Sequence, residues 1–238
     1  MQCIRKAVLF AACLVLVAVA GCGGEAPNDG GGNESAAAEQ LAAPPEESPS
    51  LDIPADAKEV VGADGEVFHY TVDPCGVVPT SEVEEILGRP VTSKFSFVYG
   101  IPPYTRCEYA IELPEDERAG RSPDRLAISV VEPLTLSEAG FPGLVTGGDA
   151  YERHKSALTN AGAEIEDVRD LGDKAFLQSS DGVLHVVSGD VYMRVSANIY
   201  TKETAATLDE LHQKMADNNA KVAVRFTADH LLPHFGGS

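Results

Sequence analysis

The chain has 238 residues, with 37 acidic and 18 basic side chains and a formal net charge of −19. A charge this negative excludes a nucleic-acid-binding protein, because phosphate neutralisation requires a basic surface. It also disfavours docking on anionic lipid headgroups. The hydrophobic fraction of 44% is too high for a wholly disordered chain.

The first 21 residues have the pattern of a lipoprotein signal peptide. Two basic residues precede an apolar run over residues 7–20, which is shorter than the ~20 residues of a membrane-spanning helix. The run leads into VAGC at residues 19–22, which resembles a lipobox whose cysteine is diacylated and becomes the first residue after cleavage. Ordinary secretory cleavage near residues 18–20 is the alternative. We expect lipidation of Cys22, because two acyl chains anchor a protein stably, on the extracytoplasmic side of the cell membrane or outer membrane.

Cysteine usage agrees with export. Cys3 and Cys13 lie in the signal peptide, so that Cys75 and Cys107 are the pair left in the mature chain besides Cys22. An even pair in an exported domain indicates a disulfide. A metal pair and a reactive thiol are the alternatives, and no CxxC or Cys-His spacing accompanies these residues.

Residues 22–56 form an acidic segment rich in Gly, Ala, Pro and Ser, without Lys or Arg. Such a segment buries too little apolar surface to offset its ordering entropy. We therefore expect a disordered tether over residues 22–56, and a single globular domain over residues 57–238.

Within the domain, helices alternate with groups of strands. Strands are predicted over residues 95–99, 107–113, 126–131, 175–178, 183–187 and 191–200, and helices over residues 81–87, 149–162 and 203–217. The first two helices begin with the capping boxes Ser81/Glu84 and Asp149/Glu152. Short strands joined by turns indicate an α+β fold, in which an antiparallel sheet carries helices packed on one face. The order αβββ–αβββ–α suggests a duplicated unit plus a C-terminal helix.

The hairpin around residues 188–191 has a specified register. A two-residue Gly-Asp turn pairs Ser188 with Val191, which aligns apolar residues on one face and a mixed set on the other. The mixed face is a candidate binding face, because aromatic and Arg side chains are enriched at recognition surfaces; its members are His185, Tyr192, Arg194 and Tyr200. The alternatives are a helix that covers this face and simple hydration.

The connection over residues 133–148 is long and apolar for a loop. It is a candidate lid or partner contact, carried by Leu136, Phe141 and Leu144, or else a plug over the sheet edge. No hydrolase, zincin, nucleotide-loop or EF-hand motif is present. No cofactor, metal site or catalytic residue is therefore assigned, and His230 and His234 are expected in a frayed tail.

The chain resembles a family of small secreted lipoproteins of unassigned function that are abundant in actinobacteria. The resemblance covers most of residues 70–217 and follows an order of short motifs: DPC at 73–75, ILG at 86–88, CEY at 107–109 and LGDKA at 171–175. It implies an α+β domain with a Cys75–Cys107 bridge on a lipid tether, and it carries no catalytic residues.

These patterns favour a non-enzymatic binding or interaction domain in the cell envelope, tethered to the membrane by lipid. Its partner is a small apolar or amphipathic ligand beneath the 133–148 segment, or an envelope protein. A hydrolase-like enzyme would instead require His154 or His185 beside a carboxylate in a cleft. A structural envelope accessory is the third possibility.

Overall fold

The computed structural model describes residues 53–61, 65–99, 103–113, 115, 123–140, 143–200 and 204–235. The strands are β1 (Lys58–Val61), β2 (Val67–Tyr70), β3 (Val91–Tyr99), β4 (Tyr104–Ile111), β5 (Asp124–Val131), β6 (Ile165–Val168), β7 (Lys174–Gln178), β8 (Val183–Ser188) and β9 (Val191–Asn198). The helices are α1 (Pro74–Val77), α2 (Thr80–Leu87), α3 (Pro133–Glu138), α4 (Gly147–Asn160) and α5 (Leu208–Phe226). Predictions for the signal peptide, Cys22 and the tether up to residue 52 lie outside the described residues.

The main sheet confirms the predicted antiparallel α+β fold. Its seven strands follow the order β3-β4-β5-β9-β8-β7-β6, and β1 pairs with β2 as a separate hairpin. The β8–β9 register is the predicted one: Ser188 pairs with Val191, and His185 pairs with Arg194. Gly189 in the turn has φ +57°, a conformation that glycine adopts without steric cost.

The expectation that all helices share one face of the sheet needs correction. One apolar cluster lies between one face of the sheet and the helices α2 and α5; it includes Val83, Met193 and Phe226. A second cluster lies on the opposite face, where α4 contributes Ala150 and Tyr151. Successive side chains of a strand point to opposite faces of the sheet. Strands that are apolar at both odd and even positions can therefore have a helix packed on each face.

The two strand groups meet at β5 and β9, which pair antiparallel. This strand order is the one that a duplicated αβββ unit would give. The helices break the relation, because α2 packs in one apolar cluster and α4 in the other. The second group also has an additional strand, β6.

Several element ends differ from the predictions. Thr146 and Asp149 form the capping box of α4, one turn before the predicted pair, and Pro79 precedes α2 without a side-chain cap. The 133–148 connection contains α3, which begins at Pro133. The last helix begins later than predicted and continues through the π-helix Thr227–Leu231 and the 3₁₀ turn Leu232–His234.

The C-terminal region described by the structure is packed rather than frayed. Leu231 is fully buried, and the Nδ1 atom of His230 lies 2.9 Å from a carboxylate oxygen of Glu82. The predicted frayed tail is therefore wrong for these residues. The long α5 segment packs against the sheet and α2.

Cys75 and Cys107 form the predicted disulfide, with a Cα–Cα distance of 5.0 Å. The bridge joins α1 to the middle of β4. Asp73 caps α1 by accepting a hydrogen bond from the Cys75 backbone N–H at 3.0 Å. In the chain-entropy model a bridge of this loop length stabilises the fold by roughly 3–4 kcal/mol.

The first turn of α4 touches the backbone of the β8–β9 hairpin. The Gly147 N–H donates to the carbonyl of Asp190 at 2.8 Å. A Cβ at position 147 would lie 2.4 Å from that oxygen and from the Tyr192 nitrogen. Glycine is therefore required where α4 meets the sheet.

Candidate functional site

A cavity of about 190 Å³ lies between α4 and the face of the sheet that α4 covers, over β4, β5 and β9; we call it the α4 cavity. The residues that line it come from three strands, from α4 and from the segment before it: Tyr104, Val131, Tyr192, Arg194, Ala150, Arg153, His154, Ala157 and Leu144. The α4 members have the spacing i, i+3, i+4 and i+7, which places them along one side of a helix. The α4 cavity is thus a groove between a helix side and a sheet face.

The inner wall of the cavity is a buried aromatic cluster. The Tyr192 hydroxyl and Nδ1 of His185 are 2.7 Å apart, and the His185 ring stacks on Phe176 at a centroid distance of 4.3 Å. His154 separates His185 from the cavity, with the two imidazole centroids 5.0 Å apart. His185 therefore supports the wall and does not line the cavity.

The histidines and Tyr192 are held in their neutral forms. Burial lowers the pKa of His185 to about 2, and the charge of Arg194 acts in the same direction. Burial and Arg194 also lower the pKa of His154, whereas burial raises the pKa of Tyr192. Because none of these groups carries charge near neutral pH, the positive charge of the cavity comes from Arg153 and Arg194.

Neither arginine of the cavity has an ionic partner among the described residues. Arg194 lies over the Tyr104 ring, with its Cζ atom 5.8 Å from the ring centroid, and its buried Nε has no hydrogen-bond partner. Arg153 forms no ion pair within the same part of the chain, and no carboxylate lines the cavity. By contrast, Arg125 is 2.7 Å from Glu108, and Arg89 is 3.1 Å from Asp124.

The structure distributes the predicted binding-face residues unevenly. Tyr192 and Arg194 line the cavity, and His185 lies behind it. Tyr200 follows the end of β9, is 38% exposed and does not line the cavity. The helix-covered alternative thus describes His185 and Tyr192, which are 0% and 3% exposed beneath α4.

The predicted lid residues pack into the fold. Leu136 of α3 and Leu144 are buried in the same apolar cluster as Tyr151, and Leu144 also lines the cavity. Phe141 lies outside the described residues. Arg153 and Tyr104 were missed by the sequence reasoning. For Arg153, its position beside His154 on the predicted helix was the one available signal; for Tyr104 the sequence offered none.

A second polar cluster, the hairpin anchor, joins β2 to α3. Glu132 is 2% exposed and accepts hydrogen bonds from the backbone and hydroxyl of Thr71, at 2.9 and 2.5 Å. Glu138 contacts both Nδ1 and the backbone N–H of His69, each at 2.5 Å. Burial raises the pKa of Glu132, against the lowering effect of these donors. Each carboxylate of the anchor therefore has its donors within the fold.

The acid–base pair that a hydrolase would require at His154 or His185 is not formed in the described part of the chain. His185 contacts Tyr192, and His154 contacts aromatic rings. Among the described histidines, His69 and His230 pair with carboxylates, and neither borders the α4 cavity. In the described ranges no group of three His, Cys, Asp or Glu side chains could hold a metal ion, and no helix there has the length and apolarity to cross a membrane.

Comparisons of the chain with protein-family models, with curated proteins and with solved structures gave no match.

Proposed function

We propose that this protein is a lipid-anchored extracytoplasmic lipoprotein that binds a small molecule in the α4 cavity. The observation that carries the proposal is the lining of this cavity, where two guanidinium groups have no ionic partner among the described residues. A charged group beside apolar surface is stabilised when a group of opposite charge or a hydrogen-bond acceptor pairs with it. We infer that a bound ligand supplies that group.

The shape of the site supports a small ligand rather than an envelope protein. The cavity is a groove walled by α4 and floored by the sheet, and its volume of about 190 Å³ lies below the ~300–1,000 Å³ of drug-sized pockets. A flat apolar patch would have favoured a protein partner. The ligand is therefore compact.

Native mass spectrometry of the mature lipoprotein, extracted from its host in non-ionic detergent, tests the binding function. We expect a retained small molecule. Ala157→Phe places a ring in the cavity and should abolish retention. Ala161→Phe, at the end of α4 and outside the lining, is the matched control and should retain it. Equal occupancy in both variants, or no ligand in the wild type, would contradict a small-molecule function and favour a protein partner or a structural role.

The sequence pattern at residues 19–22 and the resemblance to small secreted lipoproteins support the anchor. Cys22→Ser should move the protein from the membrane fraction to the soluble extracytoplasmic fraction, because the acyl acceptor is lost. Cys13→Ser in the signal peptide is the matched control and should leave membrane partitioning unchanged. Unprocessed full-length chain in the cytosol would overturn the proposal of export.

A further inference from the structure

The charge of the α4 cavity is opposite to that of the whole protein. The chain has a formal net charge of −19, and its long-range field repels anions. Yet among the described residues the lining contains two arginines and no carboxylate. Because Arg89, Arg106 and Arg125 each contact a carboxylate, acidic partners are abundant elsewhere in the fold. The two arginines of the cavity, Arg153 and Arg194, therefore lack carboxylate partners among the described residues.

The state of Arg194 indicates where a ligand would bind. Its guanidinium lines the cavity and has no carboxylate partner among the described residues. The Tyr104 ring lies on one side of the guanidinium, with the Cζ atom 5.8 Å from the ring centroid. The planar guanidinium presents a fork that matches the two oxygens of a carboxylate or a phosphate.

The remaining lining selects between these two anions. Val131, Leu144 and the ring of Tyr192 provide apolar surface next to the arginines. Free phosphate has no group to cover such surface, whereas an organic carboxylate has a hydrocarbon body. His154 stays neutral beside them, so it can exchange a hydrogen bond without adding charge.

We infer that the α4 cavity binds a small organic carboxylate, whose carboxylate is held by Arg194 and Arg153 and whose apolar body lies against Val131, Leu144 and Tyr192. This inference rests on the proposed ligand-binding function. It adds the chemical class of the ligand and the residues that recognise it.

Calorimetric titration of the mature lipoprotein in non-ionic detergent at low salt tests the ligand class. The ligands are benzoate and butyrate, each paired with its uncharged amide, together with inorganic phosphate. We expect at least one carboxylate to bind about tenfold or more tightly than its amide, because charge-assisted hydrogen bonds are lost in the amide. We expect no measurable binding of phosphate.

Two exposed arginines supply matched variants for the same titration. Arg153→Gln should weaken carboxylate binding about tenfold. Because this side chain is exposed, the substitution should leave stability nearly unchanged. Arg169→Gln removes an arginine of the same exposed class that does not line the cavity, and it should leave binding unchanged. Equal weakening in both variants would show a general charge effect and overturn the assignment.

The outcomes separate this inference from the proposed function. Amides that bind as well as their carboxylates, or phosphate that binds while carboxylates do not, would overturn the carboxylate assignment and leave a ligand-binding protein. If no titrant binds, the molecule retained in native mass spectrometry decides: a carboxylic acid supports the inference, and any other compound overturns it. If nothing is retained either, both proposals fail.

Discussion

The hairpin anchor and the α4 cavity both contain charged groups, and they differ in how those groups are partnered. In the anchor, Glu132 and Glu138 accept hydrogen bonds from Thr71, Val72 and His69. In the cavity, Arg153 and Arg194 have no ionic partner in the described chain. Polar groups that the fold satisfies itself stabilise the fold, whereas charged groups without an ionic partner are available to a ligand.

This difference gives each region a distinct response to mutation. Substitutions in the anchor should change stability. Substitutions of the cavity arginines should change binding while stability stays nearly constant. The aromatic wall of the cavity belongs with the anchor in this respect, because Tyr192 packs against Tyr151 and His185.

The largest expected effect is on the cavity wall. Tyr192→Ala should lower the free energy of unfolding by about 3–5 kcal/mol, because it removes a buried ring and leaves a void. Tyr200→Ala, at a residue predicted for the same face but 38% exposed, should cost less than about 1 kcal/mol. Urea unfolding followed by circular dichroism measures both, and similar losses would mean that Tyr192 is not part of the core.

Breaking the hairpin anchor should have the next largest effect. Glu132→Ala leaves the Thr71 backbone and hydroxyl donors without their acceptor, which should cost about 2–3 kcal/mol. Glu152→Ala removes an exposed ion pair with Lys174 and should cost less than about 0.5 kcal/mol. A chemical-denaturation midpoint that moves equally in both variants would contradict the anchor.

Acid should weaken the cavity wall through His185. The folded protein keeps this imidazole neutral, since its pKa falls to about 2, whereas the unfolded chain binds a proton below its ordinary pKa of about 6.5. The contribution of neutral His185 to stability is therefore present above about pH 6.5 and is lost as the pH falls towards 2. The loss from this group between about pH 7 and 5.5 should be about 1 kcal/mol.

His185→Gln tests the origin of that pH dependence. The variant should be less stable overall, because a packed ring is removed. Its free energy of unfolding should nevertheless depend less steeply on pH in this range, by about the same 1 kcal/mol. An unchanged slope would assign the acid sensitivity to other groups.

Among the substitutions in the anchor and the cavity, the smallest change in stability is expected at Arg194. Arg194→Met should alter the free energy of unfolding by less than about 1 kcal/mol, because no ion pair is lost and Met keeps an apolar side chain near the Tyr104 ring, while carboxylate binding disappears. Arg125→Met should cost more, about 1–2 kcal/mol, because it removes a partner of the buried Glu108 carboxylate. If Arg194→Met were the more destabilising variant, Arg194 would have a structural role.

Local features of this fold could be predicted from the sequence, and contacts between distant segments could not. The β8–β9 register followed from a two-residue turn and alternating side chains, because both constraints act within about 15 residues. The face of the sheet that α4 covers depends on which apolar side chains of several strands point to each face. No single segment contains that information, so the placement of Arg153 over the cavity escaped prediction.

The start of α4 shows how a local signal becomes ambiguous. Thr146 with Asp149 and Asp149 with Glu152 both match a capping box, and the structure uses the first pair. The choice follows from the Gly147 contact with the hairpin backbone, which only the folded chain contains. Similarly, β6 is four residues long with two acidic members, too short and polar to indicate a strand by alternation.

The contact of α4 with the hairpin at Gly147 also limits how the ligand specificity of this protein can change. Backbone atoms fix the distance between α4 and the sheet there, so that tilting the helix to fit a ligand of another size would produce a steric clash. The side chains at positions 153, 157 and 194 line the cavity and take no part in this contact. Point substitutions at these positions would therefore change the ligand while the backbone scaffold stays constant.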